Sequence, residues 1–280
     1  MGIIQETLEL IRENQNKEFN SIPFRSACLE ENLNGINQGT YFLCGGYSGS
    51  GKTTLADDLF LFSVFDWLKK FNFGKQRATW FYYSFEINKH IKMAKAASRR
   101  IFHQHGLQMN VNYILSRGLK NRISDEDYAL VKTNLEYYEE MEDFLHIYDE
   151  PTNPYQIKND VYKFCTDPSF ANVEYETFEA EGKEKQRIKK YKKKDPNHFV
   201  FVIIDHASLV KTTSGSKVKE AMDKMSADLV YLRNKFDVIP VVIQQVGTGA
   251  INRKSQLTNM IDIGPEDFSD SSYPYRDFTR

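Results

Sequence analysis

Residues 46–53, GYSGSGKT, fit the phosphate-binding pattern GxxxxGK[ST] in full. An apolar run at residues 40–45 precedes the motif, and from Thr53 to Leu68 apolar residues recur with a period near 3.6. The order strand, glycine loop, helix is the context that this motif requires. Glycines let the backbone wrap a polyphosphate so that N–H groups and the helix N-terminus face the anion. The motif therefore predicts a nucleotide site at the end of a strand.

The motif also predicts a role for each of its residues. We expect Lys52 to reach the β- and γ-phosphates of ATP, and the Thr53 hydroxyl to bind Mg²⁺. The alternative is a chance glycine turn before a helix. Cys44, just before the loop, is interpreted as a small core residue and not as a nucleophile. The residues expected to bind the nucleotide are Gly46, Ser48, Gly49, Ser50, Gly51, Lys52, Thr53 and Thr54.

Strand-like and helix-like segments alternate along the rest of the chain. The run at 198–210 is the most continuously apolar, which is typical of a strand covered on both faces. The alternation predicts an α/β fold with a doubly wound, mainly parallel sheet. Further strands are predicted at 79–85, 144–148 and 239–246, and helices at 89–103, from Ser124 to about Met141, from Asn153-Pro154, and at 216–236.

Polar side chains that end these apolar runs complete the predicted site. Asp205 closes FVFVIID, where a Mg²⁺-nucleotide site needs a second carboxylate; the alternative is an ordinary Asp that caps the next helix. Glu86 ends WFYYSFE and is the candidate base that polarises water, although a Glu that opens a helix is common without such a role. Gln245 is predicted to contact the γ-phosphate, and Gln244 competes because neighbours on a strand face opposite sides.

In this order the motifs resemble the RecA-like motor domain of DnaB-type replicative helicases over nearly the whole chain. The resemblance is carried by IPFRSACLEENLNGINQGTYFLCGGYSGSGKTT, WFYYSFEI, LHIYDEPTNPYQI, FVFVIIDHASLV and VIPVVIQQVG. It implies a RecA-like P-loop NTPase of phage or bacterial origin that couples Mg-ATP hydrolysis to translocation on single-stranded DNA in replication. It also implies a homo-hexameric ring and a primase or loader as partner.

The resemblance continues into the C-terminal segment PEDFSDSSYPYRDFTR. There Asp267, Ser271 and Ser272 stand where the family has an Asp-rich turn near the DNA backbone, and Ser269 stands where an Arg is common. The family continues past this point into strands that carry an arginine finger, so we expect those strands to be missing here. Arg276 and Arg280 are the arginines that could replace the finger.

The loops after Asp205 and Gln245 are expected to meet DNA, because ligands of open parallel sheets bind at the carboxyl ends of the strands. Cations in these loops can neutralise the phosphates of a single strand. The alternative is that both are ordinary surface loops. The cations are Lys211, Lys217, Arg253 and Lys254.

Composition narrows the class of protein. Lys and Arg number 37 and Asp and Glu 38, so a net charge of -1 gives no whole-molecule attraction to nucleic acid. The three cysteines have no metal-ligand spacing, which argues against zinc and against a disulfide framework. The N-terminus lacks the apolar core of a signal peptide, and no apolar run is long enough for a membrane span. We therefore expect a protein of the cytoplasm, or of the host cytoplasm if phage-encoded, without a membrane partner.

We expect two parts, an N-terminal helix with its lead-in at 1–35 and the ATPase core at 36–280. Ile4, Leu8 and Ile11 have helical spacing, which fits either a docking arm or a helix packed on its own domain. Within the core, 171–197 is interpreted as an insert or mobile loop. Its basic part, 183–194, is either a solvated face or a phosphate contact.

Two other functions fit the same residues. One is a RecA-like ATPase of the recombinase or clock type that does not unwind DNA. The other is a nucleotide-dependent DNA-binding module with little turnover.

Overall fold

Five parallel strands form the central sheet, which confirms the predicted parallel α/β fold. The computed structural model describes residues 2–16, 19–71, 77–120, 122–180, 182–212 and 217–246, together with Phe268, Pro274 and Asp277. Two short strands, β1 (Ser21–Ile22) and β2 (Ile36–Asn37), pair antiparallel beside the sheet. The sheet strands are β3 (Phe42–Gly46), β4 (Ala78–Ser84), β5 (Leu145–Tyr148), β8 (Phe199–Asp205) and β9 (Ile239–Gln245). Their spatial order is β3-β9-β8-β4-β5.

Helices cover both faces of the sheet. A single helical run follows β3, with its middle turn, Asp57–Phe62, in the π conformation. The helices are α1 (Ile3–Gln15), α2 (Ala27–Leu33), α3 (Lys52–Ala56), α4 (Ser63–Lys70), α5 (Lys89–His105), α6 (Val111–Ile114), α7 (Asp125–Glu136), α8 (Glu139–Glu142), α9 (Pro154–Cys165) and α10 (Val218–Phe236).

The predicted helix caps are confirmed by side-chain hydrogen bonds. Asn153 accepts from the backbone N–H of Gln156 with Pro154 in the first turn, and Ser124 begins α7 in the same way. The predicted end of the Ser124 helix near Met141 is wrong. The helix is interrupted after Glu136 and resumes as α8, and the break places Tyr138 in the core.

Alternation along the strands divides the apolar core into two layers. Phe199, Phe201 and Ile203 of β8 face α4 and the π segment, where the first layer also contains Trp80 and Phe60. The even-numbered residues of β8 face the second layer, under α9 and α10. Every residue of β8 is buried, as expected for a central strand with helices on both sides.

Residues 171–193 are a β-hairpin, so the predicted loop is wrong for this segment. Strands β6 (Ala171–Ala180) and β7 (Lys183–Lys193) pair antiparallel with a bulge near Tyr175. Ile188 is buried, and the Tyr191 ring lies 4.9 Å from that of Phe236 in α10. Period-two alternation is hidden in this sequence because charged residues occupy most positions of both strands.

The N-terminal helix α1 is present as predicted, and its apolar side chains are largely exposed. Ile3 and Ile4 are 79% and 75% exposed, while Glu13 pairs with Lys192 of the hairpin at 3.0 Å. The role of α1 as a docking arm stays a prediction. The lead-in that follows packs on the main core through Ile22 and Phe24. Among the described residues, no helix is long and apolar enough to cross a membrane.

Candidate nucleotide and metal site

The loop between β3 and α3 has the backbone that the glycine motif requires. Gly49 and Gly51 have φ of +75° and +84°, in the left-handed region that side chains disfavour. At Gly46 a Cβ atom would lie 2.8 Å from Ser50 Oγ and 3.2 Å from Lys52 Cγ. The loop therefore turns tightly around its own lysine. Ser48, Gly49, Ser50, Gly51 and Thr54, all predicted to bind nucleotide, are exposed at its surface.

The motif's lysine and threonine begin α3 and point in different directions. Lys52 Nζ donates to the carbonyl oxygen of Tyr47 across the loop at 2.7 Å. Thr53 Oγ1 donates to Asp205 Oδ1 at 2.9 Å. The structure thus brings together the two predicted metal ligands, which lie 152 residues apart in the chain.

Asp205 ends the fully buried strand β8, with the phosphate loop on one side and β4 on the other. Its side chain is 0% exposed, so its carboxylate needs partners inside the protein. Burial, with the Asp205 carboxylate nearby, raises the pKa of the Cys44 thiol to about 12. A thiol that stays protonated fits the interpretation of Cys44 as a core residue.

Glu86 lies in the turn after β4, at the same edge of the sheet. The turn is fixed by the Ser84 hydroxyl, which donates to the Ile87 carbonyl, and by the Phe85 N–H, which donates to the Asp205 carbonyl at 2.8 Å. Glu86 is exposed. Burial lowers the pKa of Lys52, and the Glu86 and Asp205 carboxylates act in the opposite direction. Glu86 is therefore within electrostatic range of the loop lysine.

The two glutamines at the end of β9 lie on opposite faces of the sheet. Gln245 pairs in register with Gly46 and shares the sheet face of Val241 and Ile243, which is also the face of α3. Gln244 is fully buried and follows Val242 on the face of α10. Gln245 thus has access to the phosphate loop, whereas Gln244 lies behind the sheet.

The site also contains a buried ionic network that sequence patterns did not predict. Lys92 Nζ of α5 lies 3.0 Å and 3.1 Å from the two carboxylate oxygens of Asp57 and 3.8 Å from Asp205 Oδ2. The Tyr82 hydroxyl lies 2.7 Å from Asp57 Oδ1 and 3.3 Å from Asp205 Oδ2. A usable signal existed, because Asp57 stands within a helix whose next residues are mostly apolar, and Lys92 stands one turn before Ala96 on the buried stripe of α5.

Burial and charge act against each other within this network. Burial raises the pKa of Asp57 and lowers that of Lys92, while each partner's charge opposes the shift of the other. Burial and the two carboxylates raise the pKa of Tyr82 well above its ordinary value. The phenol therefore remains protonated and available as a donor.

The predicted DNA contacts are only partly covered by the structure. Lys211 follows β8 at the nucleotide edge of the sheet, and its backbone N–H donates to the Thr152 carbonyl. Lys217 is the N-cap of α10, and both side chains are exposed. Arg253, Lys254, Asp267, Ser271 and Ser272, with Arg276 and Arg280, lie outside the described residues.

The donor set fits magnesium bound together with a nucleotide. Mg²⁺ usually takes one or two protein oxygens and completes its octahedron with phosphate and water. Thr53 and Asp205 supply such a pair beside the phosphate loop. Within the described ranges no cluster of three or more His, Cys, Asp or Glu side chains forms a metal cage. The pair is therefore suited to a metal that arrives with its phosphates.

The parallel sheet, glycine loop and buried strand-end carboxylate define a RecA-like P-loop NTPase fold. The sequence matches no protein-family model and no curated protein. Among solved structures, the chain is similar to the ATPase domain of a DnaB-like helicase, with a TM-score of 0.62, 15% identity, and coverage of 99% of this chain and 81% of the other. It is similar, with a TM-score of 0.62 and 14% identity, to a DnaB-like replicative helicase described with its primase interactions. That match covers 99% of this chain and 56% of the helicase. The chain has the fold of a DnaB-type motor domain.

Proposed function

We propose that the chain is an ATP-hydrolysing motor core of the DnaB type, which couples hydrolysis to translocation on single-stranded DNA. The observation that carries the proposal is the 2.9 Å contact between Thr53 Oγ1 and Asp205 Oδ1 beside the glycine loop. It joins the two motifs that a Mg²⁺-nucleotide site requires. Fold similarity to two helicase ATPase domains supports the choice of a helicase over other P-loop enzymes.

In the proposed mechanism each residue has one task. Lys52 neutralises the β- and γ-phosphates, and its present partner, the Tyr47 carbonyl, is the contact it gives up. Thr53 and Asp205 hold Mg²⁺, which supplies charge neutralisation when bound. Glu86 is exposed at the adjacent strand end and orients water toward the γ-phosphate.

Gln245 would connect the phosphate site to DNA. It is the last residue of β9, lies in register with Gly46, and directly precedes the segment that contains Arg253 and Lys254. Loss of the γ-phosphate at Gln245 would alter the position of that segment. Lys211 and Lys217 would contribute phosphate contacts from the neighbouring loop.

Assembly and partners are proposals that rest on the same fold similarity. A hexameric ring would place DNA in its central channel, and a primase or loader would bind the ring. We also propose the division into residues 1–35 and 36–280 and a cytoplasmic place of action.

The test is ATP hydrolysis with and without single-stranded DNA for the wild type, Glu86→Gln and a control, Glu150→Gln. Glu150 is exposed and follows the neighbouring strand β5 at the same sheet edge, so its substitution is chemically matched. We expect Glu86→Gln to reduce turnover by about 10²-fold or more and the control to leave it unchanged.

Three results would contradict parts of the proposal. Equal turnover in Glu86→Gln and wild type would exclude Glu86 as the base. Turnover without unwinding of forked DNA would favour a recombinase- or clock-type ATPase. Nucleotide binding with negligible turnover would favour a DNA-binding module.

A further inference from the structure

The carboxylate of Asp205 has two oxygens in different surroundings. Oδ1 faces the phosphate loop and accepts from Thr53 at 2.9 Å. Oδ2 faces the interior, where Lys92 Nζ lies at 3.8 Å and the Tyr82 hydroxyl at 3.3 Å. A carboxylate rotates in a broad, roughly two-fold well unless its oxygens are held. The interior donors therefore determine which oxygen faces the loop.

These donors are themselves fixed by a third buried group. Asp57 contacts both, at 3.0 Å from Lys92 Nζ and 2.7 Å from the Tyr82 hydroxyl, and the Lys92 ammonium lies 3.7 Å from the centre of the Tyr82 ring. The single hydroxyl proton of Tyr82 serves the nearer Asp57, whereas the ammonium has three N–H donors for the two carboxylates. Asp57, Tyr82 and Lys92 come from the π segment, β4 and α5, so three elements hold one arrangement.

Packing alone does not require this network. Its neighbours in the same core layer, including Trp80, Phe60 and Phe201, are apolar. An ion pair buried to this degree adds little net stability over apolar residues of similar volume. Its position directly behind Asp205 gives it a second effect, which is to orient that carboxylate.

We propose that Tyr82 and Lys92, anchored by Asp57, are positioning residues for the metal-binding carboxylate of Asp205. The inference rests on the proposed function, since it assumes that Asp205 and Thr53 meet Mg²⁺ with the nucleotide. Groups that orient a metal ligand typically affect metal affinity by about 10–100-fold. The network therefore acts on the Mg²⁺-dependent part of nucleotide affinity and leaves the phosphate-loop contacts unchanged.

The test is binding of a fluorescent ATP analogue in EDTA and along a Mg²⁺ titration, for Tyr82→Phe and Tyr83→Phe. Tyr83 is the matched control, because its side chain lies on the opposite face of β4 and its hydroxyl is 3.3 Å from Asp160. We expect Tyr82→Phe to raise the half-maximal Mg²⁺ concentration by about 10-fold without changing affinity in EDTA. The double variant Asp57→Leu/Lys92→Met, which removes the charge pair together, should shift the Mg²⁺ dependence in the same direction.

The possible failures are distinguishable. Wild-type Mg²⁺ dependence in Tyr82→Phe and in the double variant would overturn the inference, as would equal weakening with and without metal, which indicates a structural role. A wild type that binds no nucleotide under either condition would overturn the proposed function, and the inference with it.

Discussion

The buried pair between Asp57 and Lys92 gives a prediction about stability that needs no nucleotide. Lys92→Met removes an ammonium that is 1% exposed and leaves the Asp57 carboxylate, 5% exposed, without its cation. Breaking a buried ion pair from one side typically costs about 3–5 kcal/mol. We expect Lys92→Met to lose stability in that range. Replacing both partners, in Asp57→Leu/Lys92→Met, should recover about 2 kcal/mol or more, because no buried charge is left unpaired by the change.

The assay is urea unfolding of the wild type, both single variants and the double variant. Lys89→Met, an exposed lysine at the start of the same helix, is the control for loss of a positive charge. A Lys92→Met variant within about 1 kcal/mol of wild type would refute the reasoning, since measured costs of breaking such pairs are larger. A double variant no more stable than the single would refute it equally.

The pH dependence of Lys92→Met is an internal check. Burial already raises the pKa of Asp57, and removal of the opposing cation raises it further. An acid whose pKa is higher in the folded state than in the unfolded state loses stability as pH rises through that interval. The deficit of Lys92→Met should therefore be smaller near about pH 5 than near about pH 8.

Three further predictions concern other parts of the chain. Gly46→Ala places a Cβ 2.8 Å from Ser50 Oγ, so nucleotide titration should show weaker binding while urea stability stays within about 1 kcal/mol of wild type. Burial and nearby Lys193 lower the pKa of His198 to about 3, so stability should fall as pH drops below the unfolded pKa of about 6.5. His198→Gln should flatten that fall in urea unfolding, and an unchanged slope would contradict the assignment. Asn153→Ala removes the cap of α9 and should cost about 1 kcal/mol by the same assay, and a neutral result would contradict the cap.

The fold and the nucleotide loop were predictable from local sequence because their determinants are local. The glycine spacing of residues 46–53 fixes a backbone path, and the unbroken apolar run before Asp205 identifies a strand covered on both faces. Helix caps at Ser124 and Asn153 act on neighbouring N–H groups and were found for the same reason. Charge patterning failed at 171–193, because a hairpin with two largely solvated faces lacks the apolar alternation that identifies strands.

The tertiary structure decided what lies behind the site. Asp57, Tyr82 and Lys92 stand on three separate elements, and each would be an ordinary polar residue if considered alone. Only the packing of α5 and the π segment against β4 brings their charges within 3.1 Å, where burial makes pairing obligatory. The choice of Gln245 over Gln244 also required the sheet, because strand register determines which of two adjacent side chains faces α3. Sequence thus specified the groups that touch a nucleotide, while long-range packing determined the groups that hold them.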